Sequence, residues 1–255
     1  MRLIDYFGRA YIINLAHRID RMVELGDELA RIGLDPHDPR FVRFDACQPE
    51  DRAGFPSLGA HGCFMSHLGL LRKARAEGLE RVWILEDDVS FDPWLPQYEA
   101  RIVGQLEAQP DWGLVYIGYG NETRRNAGHR TPTLRRTDEP LMCSHCMGVN
   151  RRMFDPLIAY LEACLQRPAG HPEGGPMHVD GAYSMFRQLH DDAVTLIVDP
   201  SLAGQRASRT DIHELGLLDR LPMTRALMGE LRRVKNALQT TPSLRAVAAL
   251  VGLGQ

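Results

Sequence analysis

Short apolar runs alternate with segments of helical spacing along the first half of the chain. The runs are of strand length and rich in β-branched and aromatic residues, which predicts strands over residues 10–15, 41–45, 81–85 and 114–118. Between them, apolar residues recur every three or four positions, which predicts helices over residues 20–33, 64–78 and 93–108. This alternation predicts an α/β protein with a mainly parallel central sheet and helices on its faces.

The second half of the chain is less regular. Residues 119–140 contain few apolar residues and many Arg, Thr and Asn residues, so we predict an exposed loop of a length that is often functional. A loop rich in Gly and Pro follows at 167–177. The other predicted elements are helices over 151–165, 179–189 and 221–253 and a strand over 195–198, with residues 199–211 irregular. We expect one folded domain over residues 1–215 and a basic helical tail over 216–255.

The composition is that of an ordinary folded protein. The chain has 255 residues, of which 44% are hydrophobic and 25% charged, and this excludes disordered and low-complexity classes. The net charge of −3 argues against a nucleic-acid-binding protein. The sequence has no apolar run near 18 residues and no cleavage site close to its start, so we expect neither a transmembrane helix nor a signal peptide. Five cysteines, an odd number, favour reduced thiols and a cytoplasmic location.

Three consecutive acids, Glu86, Asp87 and Asp88, follow the strand predicted over residues 81–85. Such a cluster is tolerated at the carboxyl end of a strand, where open α/β sheets bind their ligands. Because side chains two apart in a strand point to the same side, Glu86 and Asp88 can converge on one cation while Asp87 points away. Carboxylate oxygens suit Mg²⁺ or Mn²⁺. A solvated acidic turn is the alternative interpretation.

Arg18 and Arg21 follow the first predicted strand, at the start of a helix. Cationic side chains together with helix amides favour a phosphate or diphosphate, although a solvated helix face gives the same pattern. Later in the chain, Asp180 follows the Gly/Pro-rich loop at the start of a predicted helix. There it can serve as a base, a metal ligand or an ordinary helix N-cap.

Five short segments between residues 10 and 213 occur in a specific order. They are YIINL at 11–15 with Arg18 and Arg21, GCFMSHL at 62–68, WILEDDV at 83–89, Val179 with Asp180, and PSLAGQ at 200–205 with Ser208, Asp211 and Ile212. Together they resemble glycosyltransferase family 25, which includes bacterial lipooligosaccharide galactosyltransferases and collagen galactosyltransferases.

This resemblance implies a GT-A-like nucleotide-diphospho-sugar transferase fold, with residues 1–215 as the catalytic domain. It implies an inverting hexosyltransferase that uses a UDP-sugar, with galactose or glucose as the sugar, and Mn²⁺ or Mg²⁺. The expected metal ligands are Glu86, Asp88 and His213, and Asp180 is the expected base. The expected donor-binding residues are Asn14 and Leu15 beside the uracil or ribose, Arg18 or Arg21 nearer the diphosphate, Asp45 at the base or ribose, His67 and Asp87.

The resemblance also implies a glycan or lipid-linked acceptor in cell-surface polysaccharide or lipooligosaccharide assembly. Between Leu221 and Leu253, five basic residues and one acidic residue lie beside an apolar stripe. Such a helix can lie on the anionic surface of the inner membrane, or it can pack on the catalytic domain or a second subunit. Two other function classes stay open, a metal-dependent phosphohydrolase and a non-catalytic scaffold that retains the fold.

Overall fold

The computed structural model of the chain describes residues 1–120 and 130–206, and they form helices on both sides of one sheet. In chain order, helices α1 to α6 are Leu3–Phe7, Ile19–Arg31, Leu58–Ala76, Leu95–Glu107, Phe154–Gln166 and Val179–Leu189. Strands β1 to β9 are Ala10–Asn14, Phe41–Asp45, Arg81–Glu86, Val89–Phe91, Leu114–Gly118, Thr133–Arg136, Cys146–Asn150, Thr195–Asp199 and Ala203–Gln205.

The strands of the sheet follow the order β2-β1-β3-β7-β5-β8-β6. Parallel pairing joins β1 to both β2 and β3, and β5 to β8. Strand β7 pairs antiparallel with both β3 and β5, so it links the two parallel groups at the centre of the sheet. The short strands β4 and β9 pair antiparallel with each other beside the carboxyl end of β3.

Alternation along each central strand divides the core into two layers. In β3, Val82 and Ile84 pack in the layer that holds α3, α5 and α6, whereas Trp83 and Leu85 pack in the layer that holds α1, α2 and α4. All four side chains are fully buried. Burial on both faces requires a continuous apolar run rather than alternation of apolar and polar residues, and this is the pattern from which the strand was predicted.

The predicted α/β class, with a central sheet flanked by helices, is confirmed. Four strands that pattern reading did not predict, β4, β6, β7 and β9, add antiparallel pairs to the sheet, and β9 lies within the segment 199–211 that was predicted to be irregular. Strand β6 lies inside the predicted loop 119–140, where its two arginines are exposed at the sheet edge, a position that suits charged side chains. Strand β7 contains Gly148, where a Cβ atom would lie 2.5 Å from the Phe7 ring.

The described ranges contain no helix that is both long enough and apolar enough to cross a bilayer. The predicted tail 216–255 and the predicted ligand His213 lie outside the described residues.

Candidate functional site

The acidic turn at the end of β3 is the centre of the candidate site. Strand β3 ends at Glu86, residues 87 and 88 form a turn, and β4 begins at Val89. The alternation of β3 continues into the turn, so Glu86 faces α3 and Asp87 faces α2. The sequence predicts this divergence of neighbouring acids, and it gives each of them a different set of partners.

Asp87 joins three elements through buried contacts. Its carboxylate forms an ion pair with Arg21 of α2 (2.6 Å) and accepts a hydrogen bond from Asn14 at the end of β1 (2.7 Å). Asn14 also donates to the backbone carbonyl of Arg18, where α2 begins. Asp87, Arg21 and Asn14 are each at most 8% exposed. These contacts fix the carboxyl ends of β1 and β3 relative to the start of α2.

The N-terminal half of α3 forms the opposite wall of the site. One of its faces carries Gly62 and Ser66, and another carries Cys63 and His67. Gly62 and Ser66 face the segment that follows β2. The Ser66 hydroxyl accepts from the backbone N–H of Cys47 (2.8 Å) and donates to the carbonyl of Gly62 (2.6 Å). A Cβ atom at position 62 would lie 2.6 Å from the Cys47 carbonyl oxygen, so only glycine permits this close approach.

The other face of α3 carries Cys63 and His67, one helical turn apart, towards Glu86. His67 is fully buried, its Nδ1 shares a hydrogen bond with the Tyr183 hydroxyl (3.0 Å), and its Nε2 lies 3.8 Å from Glu86 Oε1. The other carboxylate oxygen of Glu86 accepts a hydrogen bond from Gln205 (3.2 Å). The carboxylate of Glu86 is therefore held between α3 and β9.

Arg206 fixes the backbone of the acidic turn. The guanidinium of Arg206 donates to the carbonyls of Asp87 (2.6 Å) and Val89 (2.8 Å). The backbone N–H of Arg206 donates to the carbonyl of Asp88 (2.7 Å). The residue is 8% exposed. The carbonyl groups of the turn are thus satisfied from within the protein.

The pKa values of Glu86 and Asp88 are shifted in opposite directions. Burial alone would raise the pKa of Glu86, but the nearby His67 and His145 imidazoles lower it. Burial, and then the charge of Glu86, raise the pKa of Asp88 above its usual range. A proton shared by this pair therefore resides on Asp88.

The donor atoms at this turn fit a hard divalent cation. Oδ1 of Asp88 is buried, and within the described ranges no hydrogen-bond donor reaches it. A buried carboxylate oxygen without a donor is costly unless a cation occupies the vacant direction. Oxygen ligands are those that Mg²⁺ and Mn²⁺ prefer, so Glu86 and Asp88 are the residues that would hold one.

A cleft of about 240 Å³ opens in front of the acidic turn. The predicted residues that line it are Asn14, Leu15, Arg21, Glu86, Asp87 and Asp88. His67 lies behind Glu86 and does not line the cleft. The structure does not bring two other predicted donor residues to the cleft wall: Arg18 pairs with Asp20 (2.8 Å), and Asp45, 70% exposed, pairs with Arg43 (2.7 Å).

Asp180 lies in the first turn of α6 and is not among the residues that line the cleft. Its carboxylate accepts from the backbone N–H groups of Cys143 (2.9 Å) and Gly181 (2.8 Å). The pKa of the Cys63 thiol is raised by burial and then by the charges of Glu86, Asp180 and Asp88. The three carboxylates therefore act electrostatically on one side chain in the wall of the cleft.

Several residues of the site were not predicted individually. Cys63, Ser66 and Gly62 line the cleft, and Gln205 and Arg206 hold the acidic turn. The spacing within GCFMSHL contains a usable signal, because residues four apart share a helix face. Arg206 has no such signal, since its partners are backbone carbonyls far away in the sequence.

Comparison with known proteins supports the predicted family. Residues 7–98 match the model of glycosyltransferase family 25, described as an LPS biosynthesis protein family. A glycosyltransferase 25 family member from Aedes aegypti is 27% identical over 124 residues, which cover 42% of this chain and 20% of the relative. Procollagen galactosyltransferase 1-B from Xenopus laevis is 27% identical over 134 residues, 44% of this chain and 21% of the relative.

The matched region is thus about a fifth of the length of these curated relatives. Among solved structures, a glycosyltransferase involved in the glycosylation of the major capsid of PBCV-1 aligns with a TM-score of 0.43 and 9% identity, over 79% of this chain and 96% of that one. This similarity is too weak to support a conclusion about function. The resemblance predicted from the sequence motifs is confirmed over residues 7–98, the part of the chain that matches the model of glycosyltransferase family 25.

Proposed function

We propose that the protein transfers a hexose, galactose or glucose, from a UDP-sugar to a glycan or lipid-linked acceptor in cell-surface polysaccharide or lipooligosaccharide assembly. One observation carries the proposal. Glu86 and Asp88 of the strand-end turn and the cationic Arg21 line the same cleft, in a region that matches a glycosyltransferase family. A nucleoside diphosphate with a divalent cation has the charges that complement this wall.

The donor diphosphate is the group that the wall fits best. In the proposal, Glu86 and Asp88 hold Mn²⁺ or Mg²⁺, with His213 as a further ligand, and Arg21 lies near the diphosphate. The bound cation would stabilise the negative charge of the departing nucleoside diphosphate. Asn14 and Leu15 line the cleft beside these residues and would contact the uracil or ribose.

The transfer step assigns the base to Asp180. The acceptor hydroxyl oxygen attacks the anomeric carbon, the bond from that carbon to the diphosphate oxygen breaks, and the hydroxyl proton passes to the Asp180 carboxylate. Attack opposite the leaving group inverts the configuration. The hydrogen bonds from Cys143 and Gly181 to Asp180 support the assignment because they hold the carboxylate in one orientation.

The binding test uses UDP and Mn²⁺ titrated separately and together by calorimetry. A transferase binds UDP much better with the metal, and Asp88→Asn removes that gain while far-ultraviolet circular dichroism stays unchanged. Asp155→Asn is the control, because Asp155 is 80% exposed and pairs with Arg75. A wild-type protein that binds neither UDP nor Mn²⁺ is a scaffold, and this result would refute the proposal.

The kinetic test uses Asp180→Asn with a panel of UDP-sugars and acceptors. Loss of a general base lowers kcat by about 100-fold or more and leaves the affinity for the donor almost unchanged. Asp155→Asn is again the control, since Asp155 also lies in the first turn of a helix. If Asp180→Asn weakens only UDP binding, the base lies elsewhere. Phosphoester hydrolysis without any sugar acceptor would instead favour the phosphohydrolase.

We also propose that the enzyme is cytoplasmic and that its tail contacts the inner membrane. The support is the basic, amphipathic sequence between Leu221 and Leu253, because anionic lipids attract such segments. Deletion of residues 216–255 should abolish binding to anionic liposomes and preserve UDP binding. Equal binding of the full chain to neutral and anionic liposomes would contradict the membrane assignment.

A further inference from the structure

A mixed set of metal-ligand atoms lies beside the acidic turn, where a thiol and an imidazole face the carboxylate of Glu86. Cys63 Sγ, His67 Nε2 and a carboxylate oxygen of Glu86 all lie within 4.8 Å of one another. We infer that Cys63, His67 and Glu86 form a site for a thiophilic divalent cation, Zn²⁺. This site goes beyond the proposed donor site, with which it shares only Glu86, and its test does not use UDP.

The state of His67 is the observation that carries the inference. Its ring is fully buried, and in the part of the chain that the structure describes its Nε2 has no hydrogen-bond partner. The other ring nitrogen, Nδ1, is engaged by the Tyr183 hydroxyl at 3.0 Å. A metal-binding histidine has this arrangement, with one nitrogen held by an outer partner so that the other presents its lone pair to the ion.

The ligand types select zinc over the harder cations. One sulfur, one imidazole nitrogen and one carboxylate oxygen are each common zinc ligands, and thiolate in particular disfavours Mg²⁺ and Mn²⁺. A zinc ion binds cysteine as the thiolate, so binding would displace the proton of the Cys63 thiol. Three protein ligands leave a fourth tetrahedral position open.

The geometry needs only a small contraction. Ligand atoms around tetrahedral zinc lie about 3.5 Å apart, given bonds of about 2.0–2.3 Å. His67 Nε2 and Glu86 Oε1 are already 3.8 Å apart. Because the opposite oxygen of Glu86 is the one that Gln205 contacts, Oε1 can ligate zinc without breaking that hydrogen bond.

The test is titration of the full-length, reduced protein with Co²⁺ as a spectroscopic substitute for Zn²⁺. One equivalent of Co²⁺ should give the thiolate-to-cobalt charge-transfer absorption in the near ultraviolet, and Zn²⁺ should abolish it by displacement. Cys63→Ser should lose the band. Cys47→Ser is the matched control, because Cys47 lines the same cleft but is not in the ligand set, and it should retain the band.

Tyr183→Phe tests the orientation of His67, since loss of an outer partner lowers metal affinity by about 10–100-fold. Should Cys63→Ser fail to fold by circular dichroism, wild-type protein still decides, because one equivalent of Zn²⁺ must slow alkylation of Cys63. Co²⁺ bound without a charge-transfer band, or a band that Cys63→Ser retains, overturns the inference. Neither result depends on UDP, so failure here is distinguishable from failure of the proposed transferase.

Discussion

Gly62→Ala is expected to disturb the cleft by pushing α3 away from the segment that follows β2. The added Cβ would lie 2.6 Å from the Cys47 carbonyl oxygen and 3.3 Å from Pro49 Cδ. The first obstacle is backbone and cannot rotate away. It is also anchored, because the N–H of the same residue, Cys47, donates to Ser66. Relief of the clash therefore requires a shift of the segment or of the helix.

The magnitude follows from two opposing effects. Overpacking of this kind destabilises a protein by about 1–3 kcal/mol. Because the obstacle here is rigid backbone, we expect a steric cost in the upper part of that range, about 2–3 kcal/mol. Alanine in place of glycine inside a helix stabilises by about 1 kcal/mol. Gly104→Ala in α4 isolates that second effect, because nothing lies within 4 Å of the position that its Cβ would take. The difference between the two variants is therefore the steric cost alone.

Urea denaturation and thermal melts of both variants measure this difference. Gly104→Ala should melt above the wild type and Gly62→Ala below it, with midpoints separated by roughly 4–12 °C, at about 2–4 °C per kcal/mol for a chain of this size. UDP binding should weaken only in Gly62→Ala. Equal upward shifts in both variants would refute the close approach of α3 to Cys47.

Two further predictions concern buried groups. Asp87→Asn removes the carboxylate that faces Arg21 in a buried ion pair, so the free energy of unfolding should fall by about 3–5 kcal/mol. The control variant Asp155→Asn changes an exposed residue and should lose less than about 1 kcal/mol. Equal losses of the two variants in urea denaturation would contradict the role of the ion pair. Iodoacetamide should alkylate the exposed Cys47 in native protein and spare Cys146, whose pKa burial raises to about 12, until denaturant is added. Peptide mass spectrometry measures both sites, and rapid native labelling of Cys146 would show that its strand opens.

The central strands and the direction of the acids could be predicted from local sequence, because successive side chains of a strand point to opposite faces of the sheet. In β3, the rule that buries Val82 and Trp83 on opposite faces also sends Glu86 and Asp87 to opposite helices. This information is local, since a strand of six residues carries its own pattern.

The strand at the centre of the sheet could not be predicted in this way. Gly148 interrupts the pattern of β7, and its reason is the ring of Phe7, which packs where a Cβ would lie. Similarly, Gln205 and Arg206 hold Glu86 and the acidic turn through contacts with residues more than 100 positions earlier. Contacts between distant segments leave no periodic trace, so these parts of the site become visible only in three dimensions.

The clamp that Arg206 places on the acidic turn has a consequence for the order in which the protein assembles. Residues 86–89 leave the ribosome well before β9 and Arg206 are synthesised, and until then the carbonyls of the turn remain hydrated. Likewise, the backbone N–H of Glu86 donates to the carbonyl of His145, so this hydrogen bond forms only after residue 145 has been synthesised. A truncated chain that stops before β9 would keep most of the sheet but lack the fixed turn. The segment with the family signature, residues 7–98, therefore does not form the candidate site until the later half of the chain has folded onto it.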